Sequence, residues 1–253
     1  MAEIILCATQ RCGSTMIVED MRNSGVLGNP EEWFIGWEPE KEGVNWTQVL
    51  KGVRKNATGD NDVAAIKVMA NQLFNIEECL KPFLKPPPGP QFFRFHKAFE
   101  GATWVKLTRR NIVAQAISRI MAQQTGINHA TGSAEQEHFA GNLLKGYTQD
   151  YNARAAYNYD AILRECTSIT LENLAWDHFF RDHGITPIEF IYEDVVKDPD
   201  MGHLDQMARA VGLECTPNRK PRTMVKIGNQ RNKDFEKRFM REAAEQNYRG
   251  AGV

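Results

Sequence analysis

One feature near the start of the chain constrains the fold more than any other. A short apolar run, Ile4 to Ala8, is followed by the polar turn Thr9-Gln10-Arg11-Cys12-Gly13-Ser14-Thr15. The segment Ser14 to Asn23 then places Ile17, Val18 and Met21 on one helical face, and Ser24-Gly25 closes it. A continuous apolar run of this length suits a strand buried on both faces. Strand, tight loop and helix in this order make an anion cradle, because the unpaired N–H groups at a helix start offer partial positive charge to an oxyanion. Gly13 allows close approach of the backbone, Ser14 and Thr15 add hydroxyl donors, and Arg11 adds a planar guanidinium fork. A helix cap after a tight turn would use the same Gly-Ser-Thr; Arg11, just after the first strand, favours the anion. The loop is not G-x-x-x-x-G-K-[ST]: no Lys precedes Ser14-Thr15, which argues against a Mg²⁺-bound nucleoside triphosphate.

The rest of the chain repeats the alternation. Strands are predicted over Val63–Met69, Thr103–Thr108 and Ile188–Tyr192, and helices over Asn71–Leu80, from the N-cap Asn111 onward, and over Leu204–Val211. Ile112, Val113, Ala116, Ile117 and Ile120 fall at helical spacing after Asn111. A mostly helical middle is expected from about Glu135 to His183, and a polar, irregular segment over 37–62 of the kind that shapes a ligand pocket on a rigid scaffold. Phe235 and Phe239 make the last segment an amphipathic helix. The pattern predicts an α/β fold, a central parallel sheet flanked by helices. The length suits one domain over 1–253, with Pro86-Pro87-Pro88-Gly89-Pro90 as a stiff loop inside it. Ligands of such sheets lie at the carboxyl ends of strands, here after Ala8, Val68, Thr108 and Tyr192.

Composition narrows the function classes. A net charge of −1 with 42% hydrophobic and 25% charged residues excludes a disordered chain or a disulfide miniprotein. The charge is uneven: the segment from Arg219 to Arg249 is strongly basic. On a neutral chain this reads as a local anion site or a solvated basic helix, not a nucleic-acid surface. No apolar run approaches the ~20 residues of a membrane span, and the N-terminus lacks the features of a signal peptide. Five cysteines without a C-x-x-C pair indicate neither a zinc nor a redox motif and favour a reducing, cytoplasmic setting. His129, His138, His178, His183 and His203 show no metal-ligand spacing.

The loop Gln10-Arg11-Cys12-Gly13-Ser14-Thr15 resembles the 5′-phosphosulfate loop of sulfotransferases, enzymes that use 3′-phosphoadenosine 5′-phosphosulfate (PAPS), and among them the bacterial Stf0 type. The resemblance continues in order through Gly28-Asn29-Pro30-Glu31-Glu32-Trp33-Phe34, Ile66-Lys67-Val68-Met69-Ala70, Thr108-Arg109-Arg110-Asn111 with Gln115-Ala116-Ile117-Ser118, and Tyr192-Glu193-Asp194 with Asp198-Pro199. Cys12 stands where that branch has Ser, and Ala114 where another Ser is expected.

The resemblance implies a P-loop-like three-layer fold and sulfuryl transfer from PAPS to a carbohydrate or glycolipid-type hydroxyl, without a metal. It implies that Arg11, Cys12, Gly13, Ser14 and Thr15 hold the phosphosulfate. Arg109 and Ser118 would bind the 3′-phosphate, with Arg110 as the alternative to Arg109. Arg231, in Gln230-Arg231-Asn232, would be a further nucleotide contact, and a homodimer is expected. Glu32 would be the base, and Trp33 and Phe34, with Trp37 nearby, would meet the acceptor; His96 is the alternative base. Lys67, at a strand end facing the cleft, is expected to stabilise charge on leaving or sulfuryl oxygens, as is Arg11; an ordinary exposed Lys is the competing reading. A small-molecule P-loop kinase and a non-catalytic nucleotide-binding module are the alternatives. The Cys12 thiol is either silent or, with the lowered pKa of a thiol at a helix N-terminus, makes the loop sensitive to thiol reagents.

Overall fold

The computed structural model describes residues 2–82, 89–131, 143–145, 148, 150–214 and 216–250, without the side chains of 143–145 and 247–250. Pro86, Pro87, Pro88, His138 and Cys215 lie outside the described residues. In chain order the elements are β1 (Ala2–Ala8), α1 (Ser14–Ser24), α2 (Trp46–Ala57), β2 (Val63–Met69), a 3-10 turn (Ala70–Gln72), α3 (Leu73–Leu80), α4 (Phe93–Ala98), β3 (Thr103–Thr108) and α5 (Ile112–Thr125). They continue through β4 (His129–Thr131), β5 (Leu143–Lys145), α6 (Tyr159–Asp182), β6 (Ile188–Ile191), α7 (Tyr192–Lys197), α8 (Gly202–Ala210) and α9 (Gln230–Gly250). They form two compact units, residues 1–110 with 172–221, and residues 111–171 with 222–253.

The first unit is a parallel sheet in the order β2-β1-β3-β6 with helices on both faces, as the alternating pattern requires. Side chains alternate across it. Ile5, Cys7, Ile66 and Val68 join Trp46, Leu50, Leu73, Phe95, Trp176 and Phe179 in one apolar layer. On the other face lie Leu6 and, in register beside it, Lys67; α1 and α8 meet there through the buried Asp20–His203 pair, 3.0 Å apart. The chain leaves β1 toward β2 on one side and later returns to β3 on the other. The carboxyl ends of β1 and β3 therefore bound a topological switch point, where sheets of this kind bind ligands.

Helix α2 corrects the expectation of an irregular 37–62. Asn45 caps it by accepting from the Gln48 N–H at 3.1 Å, and Trp46, Leu50, Val53 and Ala57 bury one face at helical spacing. The expected helix from Asn71 opens as a 3-10 turn, and Tyr192 starts α7 instead of ending β6.

In the second unit the Asn111 side chain accepts from the Ala114 N–H at 2.8 Å and starts α5 as expected. Ala116, Ile117, Ile120 and Met121 pack with Ile162, Ile169, Phe235 and Phe239 into a separate core. Residues 143–145 form a strand paired with β4, which corrects the expectation of a helical middle; the helix begins at Tyr159. Among the described residues no helix is long and apolar enough to cross a membrane.

Candidate active site

The loop after β1 owes its shape to two residues with positive φ, Arg11 (65°) and Gly13 (102°). At Gly13 the reason is steric as well as conformational: an added Cβ would lie 2.2 Å from Cδ2 of Tyr192. Ser14 and Thr15 open α1 and are buried with Cys12 beneath the loop. Cys12, wholly enclosed, offers a ligand only its backbone. Burial pushes its thiol up; bonds with the Thr9 and Ser14 backbone, the Ser14 hydroxyl and the Lys67 charge draw it only partly back. This decides against a lowered pKa, because desolvation outweighs the helix terminus.

Arg109 ties the two lips of the switch point together. Its Nη1 donates to the Arg11 carbonyl at 3.2 Å, and its guanidinium lies 5.1 Å from the centroid of the Tyr192 ring. Its Nε is buried without a hydrogen-bond acceptor, with Glu193 at 3.9 Å. Arg110 instead faces solvent and pairs with Asp194 at 2.8 Å. At the end of β1 the Ala8 carbonyl accepts from Nε1 of Trp176 at 3.0 Å. Neither Tyr192 nor Trp176 is assigned a role by the sequence; Tyr192 could have been suspected from its place after a strand, whereas Trp176 carries no local signal.

The second part of the site sits at the end of β2. Lys67 is not an ordinary exposed lysine: its side chain is 2% exposed, and its Nζ lies 3.0 Å from Oε2 of Glu32. Gln72 donates to the other carboxylate oxygen, Oε1, at 3.0 Å. The segment bearing Glu32 runs along the free edge of β2, where the Glu31 carbonyl accepts the Lys67 N–H at 3.0 Å. Arg22 of α1 anchors the same segment, its Nη2 3.1 Å from Glu31 and its Nε donating to the Pro30 carbonyl at 3.0 Å. The loop and Glu32 are thus linked through α1 and β2, and Glu32 and Lys67, distant in sequence, are brought into contact. Sequence reasoning missed Gln72 and Arg22: Gln72 follows the end of β2 but reads as part of an ordinary helix start, and Arg22 lies inside α1 with no strand-end signal.

The neighbouring aromatics divide. Trp33 is partly buried, with its Nε1 donating to the Asn29 carbonyl at 3.4 Å. Phe34 and Trp37 are core residues, edge-on to each other with centroids 4.8 Å apart. Exposed Ile35 and Phe74 lie instead on the two segments that carry Glu32 and Gln72. His96 stacks on His183 at 4.4 Å and lines a shallow hollow of about 470 Å³ with Thr103, Trp104 and Ile188. That hollow is at the amino ends of β3 and β6, the opposite end of the sheet from the loop.

In the second unit, Ser118 is half-buried on α5. Arg231 donates from Nε and Nη2 to the Ala155 carbonyl at 3.1 and 2.6 Å, and its guanidinium lies 5.6 Å from the Phe235 ring centroid. Among the described residues no three His, Cys, Asp or Glu side chains gather as a metal site.

The chain is 23% identical to the trehalose 2-sulfotransferase of Mycobacterium tuberculosis over 219 residues, covering 74% of this chain and 76% of that protein. It is also similar to a crystal structure of a sulfotransferase from Alicyclobacillus acidocaldarius, at 13% identity and a TM-score of 0.45, with 96% of this chain and 93% of that one covered. The model of the Stf0 sulphotransferase family matches residues 3–242, nearly the whole chain. The chain therefore belongs to the Stf0 sulphotransferase family and is a sulfuryl-transferring enzyme.

Proposed function

We propose that this enzyme transfers the sulfuryl group of PAPS to a hydroxyl of a carbohydrate-type acceptor, with Glu32 as the base. The observation that carries the reading is the Glu32 carboxylate, held on one oxygen by buried Lys67 and on the other by Gln72. A carboxylate braced in this way is placed to take a proton, and Arg22 couples its segment to the helix that starts at the phosphosulfate loop.

Sulfuryl transfer makes the same demands as phosphoryl transfer: in-line geometry and stabilisation of charge spread over peripheral oxygens. In this reading the loop N–H groups, Ser14, Thr15 and Arg11 bind the phosphosulfate. The acceptor oxygen forms a bond to sulfur while the bond from sulfur to the bridging phosphate oxygen breaks. The hydroxyl proton passes to Glu32, and the other product is 3′-phosphoadenosine 5′-phosphate. As Glu32 takes the proton its attraction for Lys67 falls, which frees the ammonium to face the developing charge on the transferred or leaving oxygens. Arg109, held beside the loop by its bond to the Arg11 carbonyl, fits the 3′-phosphate better than Arg110, which is exposed and paired with Asp194 in solvent. Trp33, with Ile35 and Phe74, offers apolar surface to the C–H face of a sugar. A sugar is favoured by the name of the mycobacterial relative.

Thermal stabilisation by 3′-phosphoadenosine 5′-phosphate, against ADP and ATP–Mg²⁺, tests the nucleotide. At 100 times its dissociation constant the ligand adds about 2.7 kcal/mol of stability. A shift with ATP–Mg²⁺ alone, or no shift with any of them, would overturn PAPS as the donor. Turnover of PAPS with trehalose, then with a panel of sugars and glycolipids, tests the acceptor. Glu32→Gln is expected to keep the nucleotide shift and to lose about 10²-fold or more in kcat.

A further inference from the structure

We infer that Gln72 is a positioning residue for Glu32, setting the direction in which the carboxylate meets the acceptor hydroxyl; this rests on the reading of Glu32 as base. Met69 is the last residue of β2, and its N–H donates to Oε1 of Gln72 at 3.0 Å. A backbone N–H can only donate, so the Gln72 amide has one permitted orientation: its oxygen toward Met69 and its NH₂ toward Glu32. That NH₂ donates to Oε1 of Glu32 at 3.0 Å. Lys67 holds Oε2 at 3.0 Å.

Two donors on the two oxygens fix the plane of a carboxylate, which a single Lys, with its freely turning ammonium, does not do. Each oxygen keeps a lone-pair direction for the incoming proton. The backbone fixes Gln72 and Gln72 fixes Glu32, so the orientation of the base is set by the last peptide of a core strand. A side chain held only by solvent would sample several rotamers, and proton transfer needs heavy-atom distances of about 2.6–3.2 Å. Loss of Gln72 would therefore lower the fraction of bound complexes in a reactive geometry without weakening the grip on the nucleotide, whose loop lies on β1 and α1.

The test separates positioning from a purely structural hydrogen bond. Gln72→Glu keeps an acceptor for the Met69 N–H but has no NH₂ for Glu32, whereas Gln72→Met has neither. Both are compared with wild type and Glu32→Gln, using PAPS and trehalose or the acceptor found in the screen above, on the pH-independent plateau of kcat. We expect a loss of at least tenfold in plateau kcat for both variants, KM for PAPS within twofold, and an unchanged thermal shift with 3′-phosphoadenosine 5′-phosphate. Wild-type plateau kcat in Gln72→Glu overturns the inference, as does a loss confined to KM for PAPS. If Gln72→Glu does not fold, Gln72→Met decides by the same split. Full activity of Glu32→Gln would instead overturn the assignment of the base itself.

Discussion

The ring of Tyr192 packs against the α-carbon of Gly13 so closely that the space of a methyl group is already filled, with Cδ2 2.2 Å from where a Cβ would be. The loop after β1 and the first residue of α7 are therefore shaped to one another, and the loop depends on a residue far along the chain. Gly13→Ala meets both this contact and a φ of 102°. Overpacking costs about 1–3 kcal/mol and the left-handed backbone about 1–2 kcal/mol more. We expect a loss of about 2–4 kcal/mol in urea denaturation, and weaker binding of 3′-phosphoadenosine 5′-phosphate. Adding Tyr192→Ala should recover part of the loss, a non-additivity that neighbouring residues show and distant ones do not.

Arg109 and Arg110 differ in environment although adjacent in sequence. Arg109 is bonded to the Arg11 carbonyl and lies over Tyr192, whereas the Arg110–Asp194 pair is 57% exposed on both sides. Calorimetric titration with 3′-phosphoadenosine 5′-phosphate should show at least a tenfold loss of affinity for Arg109→Lys, since an ammonium cannot reproduce the planar fork. Arg110→Ala should bind within twofold of wild type, as exposed pairs contribute about 0–1 kcal/mol.

The buried Lys67 is a structural as well as a chemical element. Lys67→Met removes the partner of Glu32 at 3.0 Å and leaves a partly enclosed carboxylate with Gln72 alone. Removing one member of a buried pair costs up to about 3–5 kcal/mol; Glu32 retains some solvent, so a loss of about 1–3 kcal/mol is expected by urea denaturation. Lys67→Met with Glu32→Gln should be more stable than Lys67→Met alone, because the uncompensated charge is gone.

Cys12 should resist alkylation in the folded protein. It is fully buried and its thiol is pushed up by burial, so the reactive thiolate is scarce at neutral pH. Iodoacetamide labelling read by peptide mass spectrometry should find Cys12 unmodified at pH 7.5 and modified in denaturant. Rapid native labelling of Cys12 would contradict the enclosed loop.

His96 should make stability depend on pH. Burial, then the adjacent His183 ring, lowers its pKa from 6.5. The unfolded chain then binds the proton more tightly than the folded one, so protonation favours unfolding. The stabilisation is complete above the unfolded value of 6.5 and is lost as pH falls through the folded pKa. The melting temperature should drop from pH 7 to pH 5, and His96→Gln should flatten part of that drop.

Much of the first unit was legible from local signals. Four parallel strands were each marked by a short strand-forming run, and the Ser24-Gly25 signal set a helix end, as Asn111 did in the second unit, because such signals require only residues within a turn of each other. Helix α2 was overlooked although Trp46, Leu50, Val53 and Ala57 spell its face, because the polar residues between them resemble a loop. The aromatics near Glu32 could not be sorted beforehand: Phe34, facing the core, and Trp33, half outside it, come from the same Trp-Phe pair.

By itself, then, the sequence determined the alternation of elements, the polar loop after the first strand with Arg11, and Lys67 near a strand end, since these depend on residue type and short-range spacing; Glu32 and Arg109 were candidates through the resemblance to the sulfotransferase family. Tertiary structure alone decided which of them meet. With β2 at the sheet edge and residues 28–32 alongside it, Lys67 faces Glu32; with β1 beside β3, Arg109 reaches the Arg11 carbonyl. Burial and the reach of a side chain are properties of what surrounds it, and those surroundings are assembled from segments that no local pattern connects.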